Sequence, residues 1–283
     1  MTCPGLFEIA FPAVVLLLTV SCTCLNNPIA PAGGAEGAAE LGEPVDVEFI
    51  ASIDQTPQRY VKRLPKDFDP RRRHDVLIAL HGRGSDRWQY AKHPRDECRG
   101  ARAIAARYGM IFISPDYRGL TAGMNAAAEA DMVQIIAMIR REHSVGKVFL
   151  TGGSMGGMSV LAFAAHHGEL IDGVASANGR ADLLFKEPDD PAAAPDALPR
   201  QLDTTGELAP EFTPEKFTMP VAFTLGGRDT MVPPDSVRRL YASLRDRGKR
   251  DVLIIDRPEG GHATDFPDTV ASLTFVIEAA YGR

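Results

Sequence analysis

Lys147-Val148-Phe149-Leu150-Thr151-Gly152-Gly153-Ser154-Met155-Gly156-Gly157-Met158-Ser159-Val160 is an apolar run of strand length, a glycine-rich turn and the opening of an apolar helical pattern. The five residues from Gly152 to Gly156 read G-x-S-x-G, which glycine content alone produces in some chains. The flanks give the pattern its meaning. A strand that turns sharply into a helix leaves the serine at the bend crowded. Glycine two residues before and two after lets such a turn close. The same turn aims the Met155 N–H and the positive end of the helix at any negative charge developing beside the hydroxyl.

Outward from this stretch the chain alternates short apolar runs with longer helical patterns. Strands are predicted at Val45 to Ala51, Arg59 to Leu64, Val76 to Leu80, Met110 to Ser114, Lys147 to Thr151, Asp172 to Ser176, Val221 to Leu225 and Val252 to Ile255. Helices are predicted at Glu97 to Tyr108, Ala126 to Arg141, Ser154 to His167, Asp235 to Arg247 and Thr269 to Tyr281. The repetition indicates βαβ units and an α/β architecture: a mostly parallel central sheet with helices on both faces. No helical pattern separates the first two strands, so the sheet is expected to start antiparallel. Residues 181–218 break the rhythm with six prolines and no sustained period. A long irregular stretch after a sheet strand is expected to act as a lid over the strand ends.

The 283 residues carry 45% hydrophobic and 24% charged side chains, enough for one large core. A net charge of -6 offers no electrostatic footprint for nucleic acid. The basic cluster Arg71-Arg72-Arg73 sits among Asp67, Asp69 and Asp75 and reads as a solvated loop. Residues 1–25 contain the apolar run Leu6 to Val20, shorter than the roughly 20 residues a membrane span needs, so an export signal is expected. Within it, Thr19-Val20-Ser21-Cys22 resembles a bacterial lipobox, and lipidation of Cys22 is the one membrane attachment expected. Residues 26–44, rich in Pro, Ala, Gly and Glu, read as a flexible tether to a catalytic domain at 45–283. Cys98 is the single cysteine of that domain, so no intrachain disulfide is expected there.

A serine hydroxyl needs a base within hydrogen-bond reach. His262, in Gly260-Gly261-His262 between the last strand and the last helix, is the first candidate, its glycines allowing the bend that presents the ring. Asp229, in Gly227-Arg228-Asp229 just after strand Val221 to Leu225, is placed to orient the imidazole and stabilise its cation. Asp235 reads as a helix cap after Pro233-Pro234, while Asp256 and Asp265 stand as weaker alternatives for the acid. His81-Gly82-Arg83-Gly84 follows strand Val76 to Leu80, so the Arg83 N–H joins that of Met155 as a candidate oxyanion donor, with His81 as a structural brace. His74, His93, His143, His166 and His167 lie in polar loops or at helix ends. No histidine pair carries metal-ligand spacing supported by a cysteine or carboxylate cluster, so neither a metal nor another cofactor is expected. Trp88 and Tyr90, just past the oxyanion loop, Tyr117 and Arg118, just past strand Met110 to Ser114, and Asn178, after strand Asp172 to Ser176, lie at strand ends that would rim a pocket, and Trp88, Tyr117 and Asn178 are the candidate substrate-binding residues.

Taken together, His81-Gly82-Arg83-Gly84, Gly152 to Gly156, Gly227-Arg228-Asp229 and Gly261-His262 resemble the α/β-hydrolase superfamily. The likeness is to its single-domain prolyl-oligopeptidase-like and dienelactone-hydrolase-like branch, which includes secreted feruloyl and acetylxylan esterases and polyhydroxybutyrate depolymerase-like enzymes. It covers roughly Val45 onward. The resemblance implies attack by Ser154 on the carbonyl of a small-molecule or polymer ester, an acyl-enzyme, and its hydrolysis by water activated by His262. Ser154 stands where a dienelactone hydrolase has cysteine and a dehalogenase has aspartate. A peptidase of the same fold is the alternative reading, although the propeller of full-length prolyl oligopeptidases is not expected in a chain of this length. A non-catalytic binding protein on the same scaffold is the second alternative, set against the presence of every triad residue.

Overall fold

A computed structural model describes Met1 and residues 40–121, 123–182 and 213–283. The sheet and helices lie in one compact unit, Gly34–Arg283. The predicted export signal, Cys22, most of the tether and the central part of the predicted lid fall outside the described residues.

Eight strands form one sheet: β1 (Val45–Ile50), β2 (Pro57–Arg63), β3 (His74–Leu80), β4 (Ile111–Pro115), β5 (Val145–Gly153), β6 (Gly173–Ala177), β7 (Val221–Gly226) and β8 (Val252–Arg257). Their order across the sheet is β1-β2-β4-β3-β5-β6-β7-β8. β1 pairs antiparallel with β2, and β2 antiparallel with β4, while every pairing from β4 through to β8 is parallel. The antiparallel start follows from the short loop after β1, which no crossover helix could occupy. The parallel strands β3, β4, β6 and β7 are buried along their whole length, as a sheet covered on both faces requires.

The helices are α1 (Trp88–Lys92), α2 (Asp96–Arg107), α3 (Ala126–Glu142), α4 (Met155–His166), α5 (Asp235–Asp246) and α6 (Phe266–Ala280). Strand alternation divides the core in two. Val76, Ile78 and Leu80 of β3 pack with Met132, Ile135 and Ile136 of α3, Leu161 of α4 and Leu240 of α5. Leu77 and Ala79 face the other way, onto Ala101 and Ile104 of α2 and Leu273 and Val276 of α6. Helix α4, buried along almost its whole length, carries the residues after Ser154 into the larger core.

Most element ends fall within a few residues of expectation, and three differences bear on the fold. Residues 40–44 are already part of the fold, with Leu41 bridged to Pro65 and the Gly42 N–H bonded to Leu64 O at 2.8 Å, so the tether ends earlier than Pro44. Helix α1 was not predicted, since five residues are too few to display a 3.6-residue period. Pro234 rather than Asp235 occupies the N-cap of α5; Asp235 sits inside the first turn, where its charge suits the helix dipole. At the described ends of the 181–218 stretch, the Ala181 N–H donates to Ser236 Oγ at 3.1 Å, and Phe217 and Met219 are buried in the larger core. Among the described residues no helix is long and apolar enough to cross a membrane.

Candidate active site

β5 lies beside β3 with Gly152 opposite Leu80, so the loops that leave these two strands emerge side by side. One loop carries His81 to Gly84, the other Gly153, Ser154 and Met155. β6, β7 and β8 follow in order on the same side and deliver Asn178, Asp229 and His262 to the same C-terminal edge. That edge, where chain connections diverge from neighbouring parallel strands, is where open α/β sheets form their crevices.

Ser154 holds φ 57° and ψ −118°, a conformation L-residues rarely adopt. The surroundings hold it there. The Ser154 N–H donates to Ala177 O at 2.8 Å, and the Met158 N–H to Ser154 O at 3.0 Å. A Cβ on Gly152 would lie 2.5 Å from the Gly156 carbonyl carbon, and one on Gly156 would collide with Leu80 O, so both glycines of the motif are sterically required.

The structure brings together the three residues that the sequence placed far apart. His262 Nε2 lies 2.9 Å from Ser154 Oγ, and His262 Nδ1 lies 2.6 Å from Asp229 Oδ2. Asp229 is buried, and its other oxygen accepts the Met231 N–H at 3.0 Å and the Val232 N–H at 2.9 Å. Those bonds point Oδ2 at the imidazole and assign it the N–H of Nδ1, leaving Nε2 to accept the serine proton. The acid and histidine loops are tied by Gly227 N–H to Arg257 O and Arg228 N–H to Gly260 O, each at 2.8 Å. The contact demands glycine at both Gly226, where a Cβ would strike Gly261 O, and Gly227, where one would strike Pro258 O; around Gly261 itself there is open space. The bend at His262 therefore depends on the facing loop more than on the glycine beside it. The weaker acid candidates are engaged elsewhere, Asp256 with Arg238 at 2.9 Å and Asp265 as the N-cap of α6.

Asn178 joins the histidine side of the site at φ 47°, a region that asparagine tolerates better than most residues. Its amide donates to Gly261 O at 3.3 Å, and its oxygen accepts the Thr264 hydroxyl. Arg83 and Met155, the predicted oxyanion donors, sit one residue beyond Gly82 and Ser154. As the first residue of α4, Met155 has no intrahelical acceptor for its N–H.

Two predicted substrate contacts are corrected. Tyr117 is buried, its hydroxyl donates to His81 O at 2.5 Å and its ring packs on His81 at 4.6 Å, so it braces the loop from beneath. Burial raises its phenol well above the usual range. His81 faces Gly82 O and Asp116 O at 2.9 and 3.2 Å, which agrees with a structural brace. Trp88 lies outside the cavity beside Ser154, between the cations of Arg87 and Lys92. Tyr90, expected with Trp88 at the rim and two residues along the short helix on its opposite side, does line the cavity. Gln89, Arg95, Glu97 and Thr264, which sequence reasoning did not single out, line it too. Their only signal was proximity in sequence to the predicted loops. Among the described residues no group of three or more His, Cys, Asp or Glu is placed to hold a metal ion.

A nucleophile elbow with a hydrogen-bonded Ser-His-Asp relay at the C-terminal edge of this sheet is the arrangement that serine hydrolases use. The chain belongs to the alpha/beta hydrolase fold family, which matches residues 75–217, about half of its length. No curated protein matches it by sequence. Among solved structures it is similar to the fluorophosphonate-binding serine hydrolase FphF of Staphylococcus aureus, at TM-score 0.65 and 15% identity over 84% of this chain and 99% of that one. It is similar to a thermostable esterase at TM-score 0.61 and 17% identity, covering 85% of this chain and 62% of that one. The acylaminoacyl peptidase of Pyrococcus horikoshii gives TM-score 0.63 and 17% identity, with 84% of this chain and 41% of that chain covered. The chain thus spans less than two thirds of the length of the esterase and the peptidase. At these identities the likeness is one of fold.

Proposed function

We propose that the protein hydrolyses carboxylic esters through an acyl-enzyme on Ser154, with His262 as general base and acid and Asp229 as its orienting partner. The observation that carries this reading is the relay from Asp229 Oδ2 through His262 to Ser154 Oγ, at 2.6 and 2.9 Å. Ser154 Oγ attacks the ester carbonyl while its proton passes to His262 Nε2. The oxygen that becomes negative accepts the N–H groups of Met155 and Arg83. Collapse of the tetrahedral species expels the alcohol, which takes the proton from His262. Water then gives its proton to His262, attacks the acyl carbon and releases the acid, restoring Ser154. The test is hydrolysis of p-nitrophenyl acetate by the wild type and by Ser154→Ala. We expect a loss of about 10⁴-fold or more in kcat. Turnover that survives the substitution would overturn the assignment.

Export belongs to the same proposal. The apolar run Leu6 to Val20 supports a signal, and Thr19 to Cys22 supports lipidation at Cys22. Expression with and without Cys22→Ser in a bacterial host, followed by detergent partitioning, separates the two: a lipidated chain enters the detergent phase only when Cys22 is present.

A further inference from the structure

Strand β6 ends on Ala177-Asn178, and this dipeptide touches the nucleophile, the acid and the loop of the base. Ala177 O accepts the Ser154 N–H at 2.8 Å, and the Asn178 N–H donates to Thr224 O of β7 at 2.8 Å. The Asn178 amide nitrogen lies 3.3 Å from Gly261 O, next to His262 in the chain. It lies 3.5 Å from Asp229 Oδ2, the oxygen that faces the imidazole. Gly261 O and the Asp229 carboxylate only accept, so the NH₂ of Asn178 must face them and its oxygen must face Thr264. The Thr264 hydroxyl donates to that oxygen at 2.5 Å, and Thr224 Oγ1 stands 2.8 Å behind Thr264 Oγ1. Since the single Thr264 proton goes to Asn178, Thr224 is the donor to Thr264. The direction of donation is thereby fixed from Thr224 through Thr264 and Asn178 to Asp229 and Gly261. Thr224, Thr264 and Asn178 are all buried, where a chain of satisfied hydrogen bonds holds its geometry best.

We propose that Asn178 is a positioning residue of the relay, oriented by Thr264 and Thr224, and that its amide holds Asp229 Oδ2 and the Gly261 carbonyl in register so that His262 meets Ser154. The inference rests on the ester-hydrolase reading above. It moves Asn178 from the substrate rim, where its place past β6 put it, to the support of the relay. Met231 and Val232 fix only Oδ1 of Asp229. A second donor on Oδ2 sets the turn of the carboxylate plane, and the bond to Gly261 O sets the distance of the histidine loop from it. His262 serves both acylation and deacylation, so a loosened imidazole slows both steps together and leaves KM near its value.

The test is steady-state hydrolysis of p-nitrophenyl acetate by wild type, Asn178→Gly, Thr264→Val and Thr264→Ser, with unfolding midpoints measured on the same proteins. Glycine accepts the φ of 47° at this position without strain, so Asn178→Gly removes the amide and leaves the backbone turn. Thr264→Val removes the hydroxyl at nearly unchanged side-chain shape. We expect kcat to fall about 10- to 100-fold in Asn178→Gly and about tenfold in Thr264→Val, with KM within about threefold of wild type in both. Thr264→Ser keeps the donor and should bring kcat back to within about threefold of wild type. A rise in KM at unchanged kcat in Asn178→Gly overturns the proposal in favour of a substrate contact. A kcat unmoved by Thr264→Val overturns it as well. So does an equal fall in Thr264→Val and Thr264→Ser, which would make packing of the methyl group the cause. The two Thr264 variants keep the test decisive if Asn178→Gly fails to fold. Absence of Ser154-dependent hydrolysis in the wild type would instead sink the underlying ester-hydrolase reading.

Discussion

At Asp229 two backbone donors hold Oδ1 while the imidazole, with the Asn178 amide at 3.5 Å, faces Oδ2, and that division makes a sharp prediction. Met231 and Val232 hold Oδ1 through their N–H groups. In Asp229→Asn the amide oxygen must stay with them, which turns the NH₂ toward His262 Nδ1. The imidazole is then forced to accept at Nδ1 and carry its proton on Nε2, facing the Ser154 hydroxyl it should deprotonate. We expect kcat/KM on p-nitrophenyl acetate to fall about 10³- to 10⁴-fold while the unfolding midpoint moves little. A variant with near-normal turnover would show that His262 keeps its tautomer by other means. Ser154, Asp229 and His262 were legible in the sequence because each sits in a short glycine-bearing motif behind a strand. Gln89 and Glu97 were not, because nothing local distinguishes a cavity-lining glutamine or glutamate from a solvated one. Their role depends on where α1 and α2 pack.

The loop from His81 to Arg87 is an element held from several sides. Tyr117 donates to His81 O, Gln89 accepts from Gly82, and the Arg87 guanidinium reaches Asp116 Oδ2 at 2.8 Å and Asp46 Oδ1 at 2.8 Å. Placing Tyr117 at the substrate rim from sequence assumed that a residue past a strand end points outward. The positive φ of Tyr117 and Arg118, 32° and 76°, turns the chain so that the ring points back beneath the loop instead. Tyr117→Phe separates the two roles. A brace predicts a stability loss of about 1–2 kcal/mol, from the orphaned His81 carbonyl, measured by urea unfolding. It also predicts the same fractional drop in kcat on small and bulky esters, since the loop that positions Arg83 is loosened for all of them. A change confined to KM on bulky esters would return Tyr117 to the rim. Helix α1 was invisible for the opposite reason: it is too short to show a period and is held by tertiary contacts.

Across the whole molecule, the parallel sheet was legible because strand and helix patterns alternate from Val76 onward, and the antiparallel start because no helical pattern separates β1 from β2. The placement of β4 outside β3 was not, since crossover order is decided by packing between distant segments and leaves no local mark. That packing also buries acids that stay neutral only while the chain is folded. Burial pushes the Cys98 thiol, assisted by Glu97, from 9.0 up to about 12. Burial likewise lifts Tyr60, with Glu142, from 10.0 to about 12, and raises Tyr90, Tyr117 and Tyr281. For each group the unfolded chain releases its proton at a lower pH than the folded one. Between those two values the unfolded state binds fewer protons, so stability falls as pH rises. The stability is fully present below about pH 9 and decreases progressively toward pH 12. Cys98 is the group that starts to titrate first, ahead of the tyrosines. Unfolding in urea at pH 8, 9 and 10 should therefore show the wild type losing about 1 kcal/mol more than Cys98→Ala over that interval, each measured against its own value at pH 8. Parallel pH profiles for the two proteins would mean that the thiol is not held neutral by the α2–α6 layer of the core, and that the alkaline loss belongs to the tyrosines alone.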